Sequence, residues 1–515
     1  MSYKKEDKSL SLQTKHIKLL KKNQTAIIIG AGISGIAAAI RLKSQGFNVK
    51  VFEANNSYGG KLHSFKKKGY RFDFGPSLFT MPKLVKELFE ISNKDHKNYF
   101  NYKKIKIACT YFYENGMTFS APTDINDFSK NASKTFNIEE DKIKTYFKNS
   151  EKKYNLTAPI FLEKSLHRKE TYLSKKTLKA LYNYRNLDLF TTLAKLNKSH
   201  FDNENLEQLF NRFATYNGSS PYLTPGIMSM IPHLEHHQGT YFPIGGMHEI
   251  SNSLYKLAQE LGVTFHFQHK VDRIKIKNKK AESIKVKNQM IPADLIVCNV
   301  DVELAYKHLL KDIKAPYKTL NQPKSSSALI FYWGVEKKFS NLNLHNIFFS
   351  KNYKKEFDSI FRKKMIHDDP SIYVNITAKE EPNDAPKNCE NWFVMVNTPH
   401  DSGQNWKQVI KQTRQHIISK LNRILKDDIE TYITCEEIVD PINLEDKTGS
   451  YKGSLYGASS NNKFAAFLRH PNFSPEIDNL YFCGGTVHPG GGIPLCLMSA
   501  KIVGNLIEEK YKNEK

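Results

Sequence analysis

The stretch TAIIIGAGISGIAAAIRLKSQGFNVKVFEA, which begins at Thr25, restricts the fold of this chain more than any other. An apolar strand from Ala26 to Ile29 is followed by a glycine turn, an Ala-rich helix that ends near Gly46, and a second strand from Val49 to Phe52. This order is a βαβ unit. The sequence therefore predicts an α/β fold built on this unit.

Three glycines of this stretch, Gly30, Gly32 and Gly35, form a GxGxxG motif between the strand and the helix. The first allows the tight turn, the second lets a pyrophosphate approach the backbone, and the third lets the helix pack closely on the strand. The helix N-terminus offers free N–H groups to phosphates. Glu53 ends the second strand, where its carboxylate can accept hydrogen bonds from ribose hydroxyls. The motif predicts a dinucleotide site; a glycine turn kept only for packing is the alternative.

The residues after Glu53 favour FAD over NAD as the dinucleotide. Gly59, Gly60 and Lys61 extend the predicted adenosine-diphosphate site towards a flavin. The stretch GYRFDFGPSLF is typical of a strand that ends in a Gly-Pro turn, which can press backbone against an isoalloxazine ring. A nicotinamide site needs neither feature.

A second glycine-rich junction lies near the other end of the chain, in YFCGGTVHPGGGIPLCLMSAKIVGNLI from Tyr481 to Ile507. An apolar run, a glycine turn and an apolar helix pattern follow one another, as in the first junction. Pro494 suits the first position of this helix, because an N–H there would have no partner. An ordinary glycine loop before a core helix is the alternative.

The length of 515 residues is too great for one compact core, so we expect two or more domains. The segment CTYFYENGMTFSAP predicts a hairpin with its turn at Asn115-Gly116. Amphipathic helices are expected after it. Four later runs, ALIFYWGV, HNIFFS, SIYVNI and WFVMVN, predict the sheet of a second domain, and residues 404–425 carry a helical apolar stripe.

The formal net charge of +25 suggests an anionic partner, either nucleic acid or membrane phospholipid. The chain has no zinc-finger spacing, no RNP-like strand and no helix-turn-helix pattern, so we expect no nucleic-acid partner. A general bias of the proteome towards Lys and Asn is the alternative source of the charge.

The six cysteines lie far apart and form no CxxC pair, which favours reduced thiols in a cytoplasmic protein. No secretory signal and no apolar run of about 18 residues is present, so no membrane span is predicted. The protein is expected to be cytoplasmic and either soluble or peripheral to a membrane.

Six segments together resemble one enzyme family: IIIGAGISGIAAAIRL, VFEANNSYGGKL, GYRFDFGPSLFTMP, GTYFPIGGMHEI, ADLIVCNVD and NLYFCGGTVHPGGGIPLCLMSAKIVGNLI. In this order they resemble the bacterial carotenoid desaturases of the phytoene-desaturase type, within the flavin amine-oxidase superfamily. The segments GPSLFTMP and YFYENGMTFSAPTD are similar to those of the hydroxycarotenoid 3,4-desaturase branch. That branch acts on an acyclic end of a carotene that carries a 1-hydroxyl. A phytoene desaturase and a redox-neutral carotene cis–trans isomerase are the alternatives. A lipid chaperone of the Rab escort and GDI type shares only the first junction, and an amine oxidase is more distant.

The resemblance implies a Rossmann-type FAD-binding domain with a discontinuous α+β substrate domain. The predicted FAD-binding domain comprises residues 24–100, 235–303 and 476–509. The predicted substrate and membrane-docking domain comprises residues 101–234 and 304–475. Residues 1–23 are predicted to be a basic N-terminal arm.

The resemblance also implies that the two junctions hold opposite ends of one FAD. The helix near Pro494 would aim its N-terminus at the pyrimidine edge of the flavin, and Val271 would set its backbone against adenine. Cys483 and Cys496 have no adjacent resolving thiol, so we expect non-covalent binding. His488 is expected beside the ring, with a structural role favoured over a bond to flavin. The predicted cofactor residues are Gly30, Gly32, Ile33, Ser34, Gly35, Glu53, Ala54, Gly59, Gly60, Lys61, Gly75, Pro76, Ser77, Val271, Gly485, Thr486, His488, Gly492, Ile493 and Pro494.

The stretch IPHLEHHQGTYFPIGGMHEI contains His233, Glu235, His236 and His237, a composition that suggests a metal. It lacks the spacing of zinc proteases, so we expect none. The resemblance places this stretch beside the substrate channel. Glu235 is therefore the predicted proton acceptor, with a purely structural carboxylate as the alternative.

The implied reaction removes a hydride and a proton from adjacent carbons of a carotenoid, with the hydride passing to flavin. Catalysis would rest on positioning in an apolar tunnel, with a few polar groups at the terminal hydroxyl. Oxygen or a quinone-like acceptor would reoxidise the flavin. The Lys-, Phe- and Tyr-rich region 140–200 is the predicted membrane-docking surface, and a solvated basic face is the alternative.

Overall fold

A computed structural model describes residues 24–513, so the predicted arm 1–23 lies outside the described residues. A parallel sheet of five strands contains both glycine junctions. Its order in space is Leu480–Phe482, Leu295–Cys298, Thr25–Ile29, Asn48–Phe52 and Thr264–His266. The central strand pairs in parallel with two neighbours, Ile29 lying opposite both Cys298 and Phe52. The βαβ unit predicted from the sequence is confirmed.

The central strand is apolar throughout because both faces of the sheet are covered. Ala26 and Ile28 pack on one face against four helices, and Ile27 and Ile29 pack on the other face against a smaller sheet. The four helices are Ile33–Ser44, Lys83–Glu90, Glu249–Glu260 and Ile493–Asn513. The smaller sheet is antiparallel and consists of Val271–Lys277, Lys280–Val286 and Gln289–Pro292.

A second large sheet has seven strands and carries the four apolar runs predicted to form it. Its order is Ile433–Val439, Ser327–Val335, Glu390–Thr398, Ile372–Ile376, His345–Phe348, Ile107–Phe112 and Thr118–Pro122. The last two strands are the predicted hairpin, and they join the sheet by a parallel pairing with His345–Phe348. The predicted helix of residues 404–425 is Trp406–Leu425, which packs on one face of this sheet.

Helices occupy most of the chain between the hairpin and residue 236. The longest of them is Glu140–Phe161, and an aromatic core joins it to its neighbours. The other helices here are Ile125–Phe136, Lys169–Tyr172, Lys175–Tyr182, Leu193–His200, Glu204–Asn211 and Pro232–His236. Later short helices are Val302–Leu304, Tyr317–Leu320, Tyr353–Asp358, Pro441–Thr448 and Ala465–Leu468.

Two small ribbons connect the sheets. Ser64–Lys67 pairs with Tyr70–Asp73, and Tyr102–Lys104 pairs with Tyr241–Pro243. The second ribbon joins segments assigned to different predicted domains, and the domain boundaries stay a prediction. Among residues 24–513, no helix is long and apolar enough to cross a membrane.

Candidate functional site

The first glycine turn leaves no room for side chains at two of its three glycines. A Cβ on Gly35 would lie 2.1 Å from the carbonyl oxygen of Gly30, and a Cβ on Gly32 would lie 2.9 Å from Oδ1 of Asn299. Gly30 has a φ of +101°, a conformation that favours glycine. The turn therefore holds the N-terminus of the helix Ile33–Ser44 against the end of the first strand.

The carboxylate of Glu53 is fixed beside this turn. It accepts hydrogen bonds from the backbone N–H of Ala31 at 2.7 Å and of Asn55 at 2.8 Å. These bonds orient the carboxylate, whose remaining lone pairs are available to ribose hydroxyls.

Asn299 ties the turn to the last strand of the sheet. Its Oδ1 accepts from the N–H of Gly35 at 3.1 Å, and its Nδ2 donates to the carbonyl of Cys483 at 3.0 Å. Sequence reasoning missed this residue. Its position directly after the buried strand Leu295–Cys298 was the available signal, because side chains that follow parallel strands meet at one sheet edge.

The two glycine junctions meet in the structure. The hydroxyl of Ser34, in the first helix, donates to the carbonyl of Cys496 in the last helix at 2.8 Å. Further along, the side-chain amide of Gln45 donates to the carbonyl of Gly504 at 3.0 Å. Segments about 460 positions apart in the chain thus form one wall.

The Gly-Pro turn predicted near the flavin packs on Lys61. A Cβ on Gly75 would lie 2.3 Å from the carbonyl oxygen of Lys61. The Lys61 ammonium donates to the carbonyl of Leu455 at 2.9 Å, and burial lowers its pKa although Asp301 acts against this shift. Asp301 caps the following helix by accepting from the N–H of Glu303 at 2.9 Å.

One cavity of about 1250 Å³ connects these parts. The predicted residues that line it are Gly30, Gly32, Ile33, Ser34, Glu53, Ala54, Gly59, Gly60, Lys61, Gly75, Pro76, Ser77, Glu235, Val271, Gly485, Thr486, Gly492, Ile493 and Pro494. Two predicted residues, Gly35 and His488, are not among those that line it. Gly35 acts in packing, and His488 is buried with Nε2 at 2.8 Å from the carbonyl of Lys164.

A buried ion pair forms part of the cavity wall beyond the junctions. Nη2 of Arg212 lies 3.2 Å from Oε2 of Glu235, and the Tyr216 hydroxyl donates to the same carboxylate oxygen. Burial would raise the pKa of Glu235, but Arg212, His236 and Tyr216 together lower it below its usual value. Glu235 is therefore ionised at neutral pH. Arg212 and Tyr216 were missed from the sequence, because nothing local distinguishes them in a helical segment.

A hydrogen-bonded chain of polar groups runs from the Gly-Pro turn to the second large sheet. The Ser77 hydroxyl lies 2.8 Å from the Tyr373 hydroxyl, which lies 2.7 Å from Nδ1 of His345. The Asn375 amide nitrogen, which is only a donor, lies 3.2 Å from the same Nδ1. Nδ1 is therefore the acceptor and Nε2 carries the proton. Burial lowers the pKa of His345 to about 4, so the ring is neutral at neutral pH.

Apolar side chains mark the mouth of the cavity, because they both line it and remain exposed. Phe190 is 79% exposed, Phe464 55% and Tyr184 45%. The ammonium of Lys463 lies 5.2 Å from the ring centroids of both phenylalanines. The mouth thus lies between the end of region 140–200 and the short helix Ala465–Leu468.

Fold and site together define a dinucleotide-binding protein of the Rossmann type with a largely apolar cavity. The family model for flavin containing amine oxidoreductases matches residues 33–507. The chain belongs to this family.

Its relatives include enzymes of carotenoid chemistry. The chain is 55% identical to 1-hydroxycarotenoid 3,4-desaturase of Flavobacterium sp. over 482 residues. This alignment covers 94% of this chain and 98% of the relative. It is 30% identical to 4,4'-diapolycopene oxygenase of Methylomonas sp., over 93% of this chain and 97% of the relative.

Cyclohexylamine oxidase from Brevibacterium oxydans has a similar fold. The TM-score is 0.61 at 14% identity, over 95% of this chain and 99% of that one. The predicted fold, a Rossmann-type domain with a substrate domain, is confirmed, as is the family.

Proposed function

We propose that this protein is an FAD-dependent desaturase that introduces the C3–C4 double bond into an acyclic carotenoid end carrying a 1-hydroxyl. One observation carries the proposal: a single cavity joins both glycine junctions to apolar walls and then to an exposed mouth. The 55% identical relative named 1-hydroxycarotenoid 3,4-desaturase supports the substrate.

The cofactor proposed is FAD, bound without a covalent link. The lining fits it: a Cβ placed on Gly492 meets no heavy atom within 4 Å, and the lining includes Glu53 and the start of the helix at Ile33. Burial raises the pKa of Cys483 to about 12 and of Cys496 to about 11, so neither thiol is a ready nucleophile. FAD, when bound, supplies a hydride acceptor.

The residues of the chain would act by positioning. The first junction would hold the pyrophosphate at the helix N-terminus, with Glu53 on the ribose. The second junction would hold the ring, where Gly492 keeps side chains away from a flat group. A C–H bond has no charge to bind, so alignment of the chain in the cavity must supply most of the rate enhancement.

The polar groups near the Gly-Pro turn are proposed to hold the terminal hydroxyl. The hydroxyl-bearing carbon is two bonds from the reacting C3, so its partners must lie close to the ring. Ser77, Tyr373 and His345 form a hydrogen-bonded chain that starts on the turn predicted to face the flavin. The ion pair of Arg212 and Glu235 lines the same cavity and provides further polar partners.

Glu235 is the proposed proton acceptor. Its carboxylate is ionised and lines the cavity. Its lowered pKa makes it a weaker base than a free carboxylate, which limits its contribution to the usual range for positioned bases, about 10²–10⁴-fold. Replacement by Gln should lower kcat within this range while the flavin absorption stays unchanged. A variant with a full complement of flavin and unaltered kcat would show that water or another group takes the proton.

The protein is proposed to be cytoplasmic and to work at a membrane surface, from which an insoluble substrate must come. Exposed apolar side chains at the cavity mouth support this, as does the nearby Lys-rich sequence. Oxygen or a quinone-like compound is the proposed electron acceptor.

The experiment that tests the function is expression in a host that accumulates a 1-hydroxylated acyclic carotenoid. We expect a product lighter by two hydrogens, with absorption at longer wavelength because the polyene is longer. Unchanged mass would indicate an isomerase, and added oxygen would indicate an oxygenase. Desaturation in a host that makes only phytoene would indicate the broader phytoene-desaturase activity.

A further inference from the structure

Glu151, His233 and His237 form a group outside the cavity that the proposed function does not use. One oxygen or nitrogen atom from each side chain lies within 4.8 Å of those from the other two. We propose that these three residues bind a divalent transition-metal ion of the zinc class.

Two packed helices bring the three side chains together. Glu151 lies on Glu140–Phe161, and the two histidines lie four positions apart around Pro232–His236, on the same side of a helical turn. Nε2 of His237 is 3.7 Å from Oε2 of Glu151. Glu151 is distant in the chain from residues 233–237, so the spacing within that stretch could not reveal this third side chain.

An unpaired nitrogen is the second observation that points to an ion. Nδ1 of the buried His233 side chain has no hydrogen-bond partner among residues 24–513. A buried polar atom without a partner destabilises the folded state, and a bound ion is one of the ordinary explanations for such an atom. The ring of His233 stacks on Tyr154 and on His237, with ring centroids 4.5 Å apart in each pair, so the two imidazoles lie face to face.

The ligand types favour zinc over magnesium or calcium, and the group is accessible to ions. The Glu151 side chain is 45% exposed, so the group opens to solvent. Two imidazoles and one carboxylate match the preferences of Zn²⁺, Co²⁺ and Ni²⁺, and three protein ligands leave one position for water. The ion would link two walls of the cavity, because Glu235 and Leu234 lie beside the histidines and Tyr154 and Thr157 lie on the other helix.

The test uses tag-free, flavin-loaded protein from which metals have been stripped by a chelator. Titration with Zn²⁺ against a competing indicator should give one equivalent bound, and Co²⁺ should give the visible absorption of a site with nitrogen ligands. Removal of one ligand in His237→Ala or Glu151→Gln should weaken Zn²⁺ binding by about 100-fold or more, beyond the 10–100-fold typical of outer partners. The control variants His416→Ala and Glu282→Gln should bind as the unaltered protein does.

The flavin absorption reports whether each variant has folded. If His237→Ala loses its flavin, the Zn²⁺ affinity of Glu151→Gln alone tests the proposal. The Glu151 side chain is 45% exposed, so we expect this variant to fold. Zn²⁺ should also raise the Tm of the unaltered protein, and Mg²⁺ should not. Absence of a one-equivalent site, or Zn²⁺ affinity unchanged in Glu151→Gln, would overturn the proposal.

Discussion

Gly35 is the residue at which the first junction depends most directly on the absence of a side chain. Replacement of a helical glycine by alanine ordinarily stabilises a protein by about 0.5–1 kcal/mol. At Gly35 the added Cβ would lie 2.1 Å from a backbone oxygen that cannot move freely. We expect Gly35→Ala to lower the free energy of unfolding by about 1–3 kcal/mol and to weaken flavin binding.

Urea unfolding and flavin titration measure both effects. Gly504→Ala is the matched control, because Gly504 is also helical and its added Cβ would lie 3.3 Å from the Arg41 side chain rather than 2.1 Å from a backbone oxygen. A Gly35→Ala variant as stable as this control would contradict the steric argument.

The buried ion pair of Arg212 and Glu235 also makes a prediction at the level of single residues. Glu235→Gln leaves a buried guanidinium without its counter-charge, which should lower the free energy of unfolding by about 3–5 kcal/mol at pH 7. The pKa of Glu235 is lowered in the folded protein, so its contribution is present above the unfolded pKa of about 4.3 and is lost as the pH falls through the folded value.

Urea midpoints measured from pH 7 down to pH 3 check this expectation. The difference in urea midpoint between the unaltered protein and Glu235→Gln should become smaller only below about pH 4.3. Glu437→Gln is the control, because Glu437 pairs with Lys67 at the surface and should contribute less than about 1 kcal/mol.

Among the elements, the segments around the cavity mouth carry the proposed contact with a membrane. Leu173 is 81% exposed and Phe190 79%, and burial of such a side chain in lipid contributes about 1.5–3 kcal/mol. The double variant Leu173→Ser with Phe190→Ser should therefore weaken binding to vesicles by at least about tenfold.

Co-sedimentation with anionic and neutral vesicles measures this binding. The control double variant replaces Met290 and Tyr317 by Ser. Both are at least 50% exposed, but no residue of their elements, Gln289–Pro292 and Tyr317–Leu320, lines the cavity, whereas Phe190 and Tyr172, the neighbour of Leu173, do. Equal losses in the two double variants would argue against docking at the mouth. Binding to anionic vesicles that salt does not weaken would remove the role of the lysines.

At the scale of the whole molecule, buried neutral histidines should set the response to acid. Six histidines have a pKa lowered to about 4, chiefly by burial: His233, His236, His345, His400, His470 and His488. In the unfolded chain each takes up a proton near pH 6.5, so stability is full above that pH and falls as the pH drops towards 4. Each of these histidines lowers the free energy of unfolding by up to about 1.4 kcal/mol for every pH unit of acidification in this range.

Three buried carboxyls act in the opposite direction. Burial raises the pKa values of Asp301 and Asp384 to about 6 and also raises that of Glu356, so these groups favour the folded state as the pH falls. They are outnumbered by the histidines. We expect the urea midpoint to fall steadily from pH 6.5 to pH 5, and a midpoint that stays constant over this range would contradict the burial of neutral rings.

The sequence by itself determined the βαβ unit and the two glycine junctions. Glycine spacing, strand periodicity and a carboxylate at the end of the second strand are local patterns, and local sterics fix what they form. Gly30, Gly32 and Glu53, which these patterns single out, line the cavity. The same holds for the four strands of the second sheet and for the helix Trp406–Leu425, since each shows its periodicity within one short segment.

Only the tertiary structure decided which side chains meet across these elements. The contacts between Arg212 and Glu235, between Ser34 and Cys496, and among Glu151, His233 and His237 join different helices. Such contacts depend on how apolar faces pack, and no local pattern records them. The packing likewise placed the mouth of the cavity, because exposure of an aromatic side chain is a property of the assembled surface.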